Sequence, residues 1–454
     1  MKFSQKFLSR RSQEFSEKFM VGIWNPNILA WRDIVEDYLY ISRKRINNKF
    51  AMFKIQLNIL MDIINNVKAI DEYKIKLKEF ETDNERGLIP SDDFDYQTKN
   101  FESEINQLFI INIALREVID GIVWRYFNFN RSILYLLADK EPLGPLRFDE
   151  GIINSLHHFA ECFLSHKDIA ILNDISNFLR TGDITVIKDD GTIELIEVKT
   201  SGGRGGRRIT RQKQRMAEFV EFVNTGITEY DGITFNILYT DSKQTYYFKD
   251  LLDSINRARL KGFDSILIGN YLIIEVIDLG KANDAEQIKK YFNNRHKSVK
   301  DNWKRRNDLE LKGWLLNKLE YSRNYIPYSI LPYNVDICVD IIMGKLMIRT
   351  ILNFSEVMRM IEKDGWVIKD SMFYKSEEEL KNLEGKYIND IPMMVVKKGN
   401  CSINIPPTSF GRLRYELWSM KSLIEGLDEQ YRHAQNKTYD ALFVNYNADK
   451  RIWK

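Results

Sequence analysis

Cysteine is nearly missing from this chain, and the little there is stands apart. Cys162, Cys338 and Cys401 are the only three in 454 residues. With no Cys-x-x-Cys pair and no Cys/His cluster, the pattern argues against a disulfide framework and against a zinc site, and fits a reducing compartment. Long apolar runs are also lacking, since no stretch reaches the about eighteen apolar residues a spanning helix needs. The segment Met1-Lys-Phe-Ser-Gln-Lys-Phe-Leu-Ser-Arg-Arg11 has no continuous apolar core of the export-signal kind. The expectation is a soluble, unexported, cytoplasmic protein with no membrane partner. An excess of one charge is missing too: 67 Lys+Arg against 64 Asp+Glu leave +3. Global polyelectrolyte attraction to nucleic acid is excluded, and any such binding must come from local patches. Internal repeats, low-complexity segments and P-loop, helicase or methylase motifs are absent.

What is there suits a globular chain of two or three domains, with 44% apolar residues. Residues 1–145 read as a helical region, because apolar positions recur at three and four, as in Leu57, Leu60, Met61 and Ile64 and again in Leu108, Ile111, Leu115, Val118 and Ile122. The acids, turn formers and proline between Glu81 and Asp93 predict a loop between long helices. Glu141-Pro-Leu-Gly-Pro145 marks a boundary. Residues 146–280 then read in the order α-β-β-β-α-β: a helix over Ile152–Leu164, a short run Ile169–Leu172, two β-like runs, a Gly/Arg loop, a helix over about Thr210–Asn224, and a strand at Ile233–Tyr239. A helix from Tyr247 and a hairpin around Gly269-Asn270 close this part near Gly280. Residues 281–454 read as a polar helical segment from Lys281 to about Tyr325, strongly basic over Lys289–Arg306, followed by α+β structure. Strands are expected over Val335–Leu352 and Met393–Lys398, and a helix over Phe354–Lys363. The fold class is therefore α+β and multidomain. The helical N-terminal region is the candidate surface for a homo-oligomer or a partner protein.

Chemistry gathers in the two central runs. Asp183 sits in Thr181-Gly-Asp-Ile-Thr-Val-Ile187, and Glu197-Val-Lys199 ends Gly191-Thr-Ile-Glu-Leu-Ile-Glu-Val-Lys199. Side chains alternate along a strand, so Ile193, Leu195, Glu197 and Lys199 share one face. Lys188-Asp-Asp-Gly191 carries Asp-Gly, a strong hairpin signal, which folds the first run back and brings Asp183 toward Glu197 and Lys199. Glu-x-Lys by itself means little, because the chain holds five copies. Only this one lies in a β-like run behind a Gly-Asp strand. A surface hairpin with a cross-strand ion pair is the bland alternative, but Ile193 and Leu195 turn that face toward a core, where an idle Glu and Lys are costly.

Directly after it, Ser201 to Arg215 carries six basic residues from Arg204 onward and no acid. Glycines let a backbone approach a phosphate, and arginines pair with it bidentately, which makes Arg204, Arg207, Arg208, Arg211 and Lys213 candidate nucleic-acid contacts. Thr210 is the expected cap of the next helix. Other features read as structure. His157 and His158 beside Glu161 lack a full ligand set, and Trp124-Arg-Tyr-Phe-Asn-Phe129 continues a helical apolar face.

The Gly-Asp strand, the turn and Glu197-Val-Lys199 together resemble the PD-(D/E)XK, or restriction-endonuclease-like, nuclease superfamily over residues 148–242. Gly182 stands where that family often has proline. The resemblance implies a restriction-endonuclease-like core, with Asp183 and Glu197 as acids and Lys199 as the assisting cation. It also implies a helix-borne acid, for which Glu161 is the first candidate beside Asp174 and Glu150. Gln212 and Gln214 are the candidates for polar residues on the following helix, which departs from Gln-x-x-x-Tyr by placing Met216 four after Gln212. The implied activity is Mg²⁺- or Mn²⁺-dependent phosphodiester hydrolysis, by an endonuclease on DNA in preference to RNA, in a setting such as antiphage (antiviral) defence or a mobile element. An inactive nuclease-fold subunit that binds nucleic acid or supports assembly is the alternative. Mg²⁺ takes oxygen ligands, one or two carboxylates plus water and phosphate, which Asp183, Glu197 and the Val198 carbonyl would supply. Lys199 would orient water and stabilise charge; two neighbouring carboxylates oppose the depressed pKa a general base would need.

Overall fold

In the computed structural model the apolar spacing of the first third becomes four helices, α1 (Pro26–Lys44), α2 (Lys49–Glu85), α3 (Ser91–Tyr126) and α4 (Arg131–Leu137). The structure describes residues 26–138, 146, 149–166, 168–179, 181–198, 207–230, 233–240, 243–282, 286–294, 310–314, 325–371, 394–435 and 441–446. On α2 the buried Ile55, Ile59, Leu60 and Ile63 recur at three and four and form one apolar stripe. The second half of α3 differs, for Ala114 through Trp124 is buried without interruption, as befits a helix enclosed on all sides. Gly121 belongs to that stretch because a Cβ there would collide with the Ser329 hydroxyl. Trp124 and Phe127 are core residues, as their spacing predicts. The predicted loop over 81–93 is shorter than expected. Asp92 and Asp93 fall in the first turn of α3, where carboxylates favour the helix N-terminus, so the turn is confined to 86–90 around Gly87 at φ +69°.

The central elements follow the predicted order, with one strand added. They are α5 (Glu150–His166), β1 (Ile169–Leu172), a 3₁₀ turn (Asn173–Ile175), β2 (Ile184–Ile187), β3 (Ile193–Ile196), α6 (Arg207–Thr225), β4 (Ile227–Tyr230) and β5 (Ile233–Thr240). β1, β2 and β3 form an antiparallel meander in which Leu172 opposes Ile184 and Ile184 opposes Ile196. β5 lies in a different sheet, antiparallel to β4 and parallel to a late strand at Ala441–Tyr446.

The remaining chain is α+β. α7 (Phe248–Lys261), β6 (Phe263–Ile268) and β7 (Leu272–Asp278) precede β8 (Glu310–Trp314), α8 (Val335–Ile342), β9 (Leu346–Asn353) and α9 (Phe354–Lys363). Val335–Leu352 is thus helix then strand, not strands throughout: Ile337, Cys338 and Ile341 are buried at helical spacing, and packing overrides the β-branched composition. β6, β7, β9 and β8 form one sheet in that order, so it runs across the expected limit at Gly280. β10 (Val367–Ser371), β11 (Met394–Lys398) and β12 (Cys401–Ile405) make a small sheet, followed by α10 (Pro407–Tyr415), α11 (Met420–Gln435) and β13 (Ala441–Tyr446). Among the described residues no helix is long and apolar enough to cross a membrane.

One buried apolar cluster extends from Val35 on α1 to Leu427 on α11. Polar ties cross the same span: Arg32 reaches the buried Asp340 at 2.8 Å, Glu117 accepts from the Tyr328 amide, and Arg131 pairs with the buried Glu416. The helical region also completes the central sheet. Gln56 of α2 donates from Nε2 to the Ala170 carbonyl at 2.9 Å and accepts at Oε1 from the Leu172 amide at 3.0 Å. Its primary amide thus bonds the outer edge of β1 as a neighbouring strand would. All three residues are buried, so Gln56→Leu would strand one N–H and one C=O away from water. The expected loss is roughly 2–5 kcal/mol, read from urea unfolding; a change under about 0.5 kcal/mol would refute this role.

Candidate active site

The site begins with the hairpin. Ile187 opposes Ile193, and the turn between them is closed by Lys188 donating to Thr192 and Gly191 donating to Lys188, each at 2.9 Å, with Gly191 at φ +84°. The Asp190 carboxylate accepts from both the Thr192 amide and its hydroxyl. The predicted turn chemistry therefore forms. A cross-strand ion pair is present as well, but it joins Lys188 to Glu194 at 3.0 Å on the exposed face. Ile193 and Leu195 are buried opposite it.

At the far end of the hairpin Asp183 and Glu197 come together. The Asp183 amide donates to the Ile196 carbonyl at 2.8 Å, and the Val198 amide donates to Asp183 Oδ2 at 2.6 Å. Val198 thus enters the site through its N–H, gripping the acid. Asp183 is half-buried, and its pKa is pushed up to about 6, first by burial and further by the charges of Glu197 and Asp174, with the Val198 bond opposing. Gly182 sits at φ +75°, and a Cβ there would meet the Ile196 carbonyl at 3.1 Å. A proline, fixed near −65°, cannot occupy that backbone, which accounts for glycine before the acid.

The rest of the support comes from residues that the sequence patterns do not mark. Asn173, at the start of the 3₁₀ turn, donates its side-chain amide to the carbonyls of Thr181 and Gly182 and accepts from the Thr185 hydroxyl; its backbone N–H donates to the Asp183 carbonyl. Three residues on, Ser176 and Asn177 bind the buried Asp120 of α3, through the Ser176 hydroxyl at 2.5 Å and the Asn177 amides at 3.0 Å. The segment between β1 and β2 is pinned at both ends. Asp174 lies within it, close enough to act on Asp183 and on Arg116, a buried arginine of α3 whose pKa burial lowers to about 10.

The other candidates scatter. Glu161 is exposed on α5 beside His158, 3.7 Å away, and its charge is felt at Cys162; the acids that act on Asp183 are Glu197 and Asp174. Glu150 opens α5 at the surface. His157 and His158 are exposed. Gln214 is exposed on α6 and bonds Glu218 at 2.9 Å along its own helix. Position 212 lies one turn before Met216, which approaches Gly182. Arg207, Arg208, Arg211 and Lys213 stand in the first two turns of α6, which starts at Arg207, so Thr210 is inside the helix and is not its cap. Lys199 and Arg204 lie outside the described residues. Among the described residues no group of three or more acids, histidines or cysteines is arranged to hold an ion unaided.

The raised pKa fixes a pH signature. The fold disfavours the Asp183 carboxylate, so its penalty is absent below the ordinary 3.8 and grows as pH rises to about 6. Asp183→Asn removes the charge, and its amide oxygen still accepts from Val198. At pH 7.5 the variant should be the more stable by roughly 1–2 kcal/mol, after allowance for partial solvent screening, and near pH 3.5 the two should converge. Urea melts at the two pH values check this; a gap independent of pH would sink it.

No family model, curated protein or solved structure matches the chain.

Proposed function

We propose that this chain is a metal-dependent nuclease that hydrolyses phosphodiester bonds, DNA in preference to RNA, of the kind used in defence or by mobile elements. The observation that supports it most is the half-buried Asp183, held by the Val198 amide at the mouth of a hairpin and facing Glu197 with its pKa pushed up to about 6. Perturbed carboxylates of this sort cluster at functional sites, because an isolated structural acid gains nothing from being placed against another.

The donor set fits Mg²⁺ or Mn²⁺, hard cations that take carboxylate oxygens and fill their remaining positions with water and phosphate. Asp183 and Glu197 would hold the ion, with the Val198 carbonyl as a further oxygen. When bound, it would supply charge stabilisation and a more acidic water. Lys199 would orient the attacking water and stabilise charge at the scissile phosphate. The arginines opening α6, with Arg204 before them, would grip the strand backbone. Asn173 acts as a positioning residue, through the 181–183 backbone.

A second reading, a nuclease-like subunit that binds nucleic acid without cutting it, draws on the lack of a three-residue ligand cluster among the described residues. One experiment separates them. Purified protein with Mg²⁺ or Mn²⁺ should cut at least one of a plasmid, a linear duplex or a single strand, and Asp183→Ala or Lys199→Ala should lower the rate by 10²-fold or more. Intact substrates in both metals, or wild-type cleavage by both variants, would reject the nuclease; no Mn²⁺ uptake together with retained DNA binding would establish the subunit.

A further inference from the structure

The helices α2 and α3 extend well past the body of the molecule. No residue from 71 to 106 is buried, and the ring contacts that hold this arm lie between its own two helices: Tyr73 with Phe101, and Phe80 with Phe94 and Phe101. Fifteen residues of α2 carry it roughly 22 Å outward at 1.5 Å per residue. The arm is acidic, with eleven Asp and Glu against five Lys and Arg, a net −6 in a chain of total +3, so the remainder carries +9. All of that excess sits at the tip, where residues 79–95 hold seven acids and one base. Two large apolar side chains stand exposed there, Leu88 at 68% and Tyr96 at 66%.

This tip repels phosphate, so it is no part of a nucleic-acid track. It also repels an identical tip, which excludes pairing arm to arm. Its complement is a basic surface around an apolar point, and the body offers one at the end of α7. Leu260 is 82% exposed there, beside Arg257 and Lys261. Gly262 packs against Lys281, and Tyr291 of the helical stretch 286–294 lies under Lys261 and against Phe263, so the exposed Lys289 and Lys290 of that stretch lie close by. The acids Asp253, Asp264, Asp278 and Glu286 leave these five bases in excess by one, and Asp264 and Asp278 are buried, the former beneath Arg257 and Lys261.

We infer that the acidic tip of α2 and α3 docks on the basic face around Leu260 of a second copy of this chain, with Leu88 and Tyr96 meeting Leu260. The contact is heterologous in its surfaces; two such contacts, made reciprocally, close a dimer. It does not depend on the nuclease reading.

Sedimentation velocity on the full chain tests it. Association should rise with concentration at about 50 mM salt and be lost at about 0.5 M, where screening is nearly complete at contact range. Asp92→Lys/Asp93→Lys/Asp95→Lys should leave a monomer, and so should Lys281→Glu/Lys289→Glu/Lys290→Glu; mixing the two reversed proteins should restore a complex. All six sites are exposed, and circular dichroism confirms that each variant folds. A monomer at every concentration of the wild-type protein overturns the inference. So does association that survives either reversal, or a mixture of the two that stays monomeric, which would assign the tip to a different partner.

Discussion

Buried side-chain amides standing in for absent backbone partners are the constraint on which this structure depends. A three-stranded sheet has two open edges, and an open edge inside a protein leaves N–H and C=O groups without water. Here β1 is closed by Gln56, whose amide presents one donor and one acceptor in the manner of a strand. Where the chain leaves β1 for β2, Asn173 binds the carbonyls of Thr181 and Gly182, and Asn177 with Ser176 ties the excursion to Asp120. Each bond adds about 1 kcal/mol net, but leaving a buried group unmade costs up to a few kcal/mol. That asymmetry makes the geometry of the 173–183 excursion close to obligatory. The placement of Asp183 follows from it.

Much of the hairpin was legible because its determinants are local. Asp190-Gly191 needs only a positive φ at one glycine, and the alternation from Ile193 to Ile196 needs only a period of two. The acid pair followed, since the Ile184 and Ile196 register sets Asp183 opposite Glu197. The same local logic located α5, β1, α9 and β11 closely. It failed where the deciding partner is remote. β5 looks like the last strand of one sheet, yet pairs with β13, some two hundred residues on. Val335–Leu352 is rich in β-branched residues, but its first half is helical because the buried stripe around Ile337 and Ile341 packs as a helix. Glu161 was the first choice for a third acid on its helical position, whereas the acids that act on Asp183 are Glu197 and Asp174, the latter carried there by a 3₁₀ turn with no distinctive sequence.

These ties bear on how the chain divides. A boundary near Glu141 is natural from composition, and the acid pair lies wholly after it. Yet the edge of β1 is completed by Gln56, the segment before β2 is anchored on Asp120, and Asp174 acts on the buried charge of Arg116, all from helices before that boundary. The apolar cluster is continuous across the same line. A fragment starting at residue 146 would keep Asp183, Glu197 and the hairpin turn, and would lose the groups that fix where Asp183 points. The helical region therefore contributes to the site, and the arm of residues 71–106, none of which is fully buried, holds the chain's largest local excess of negative charge.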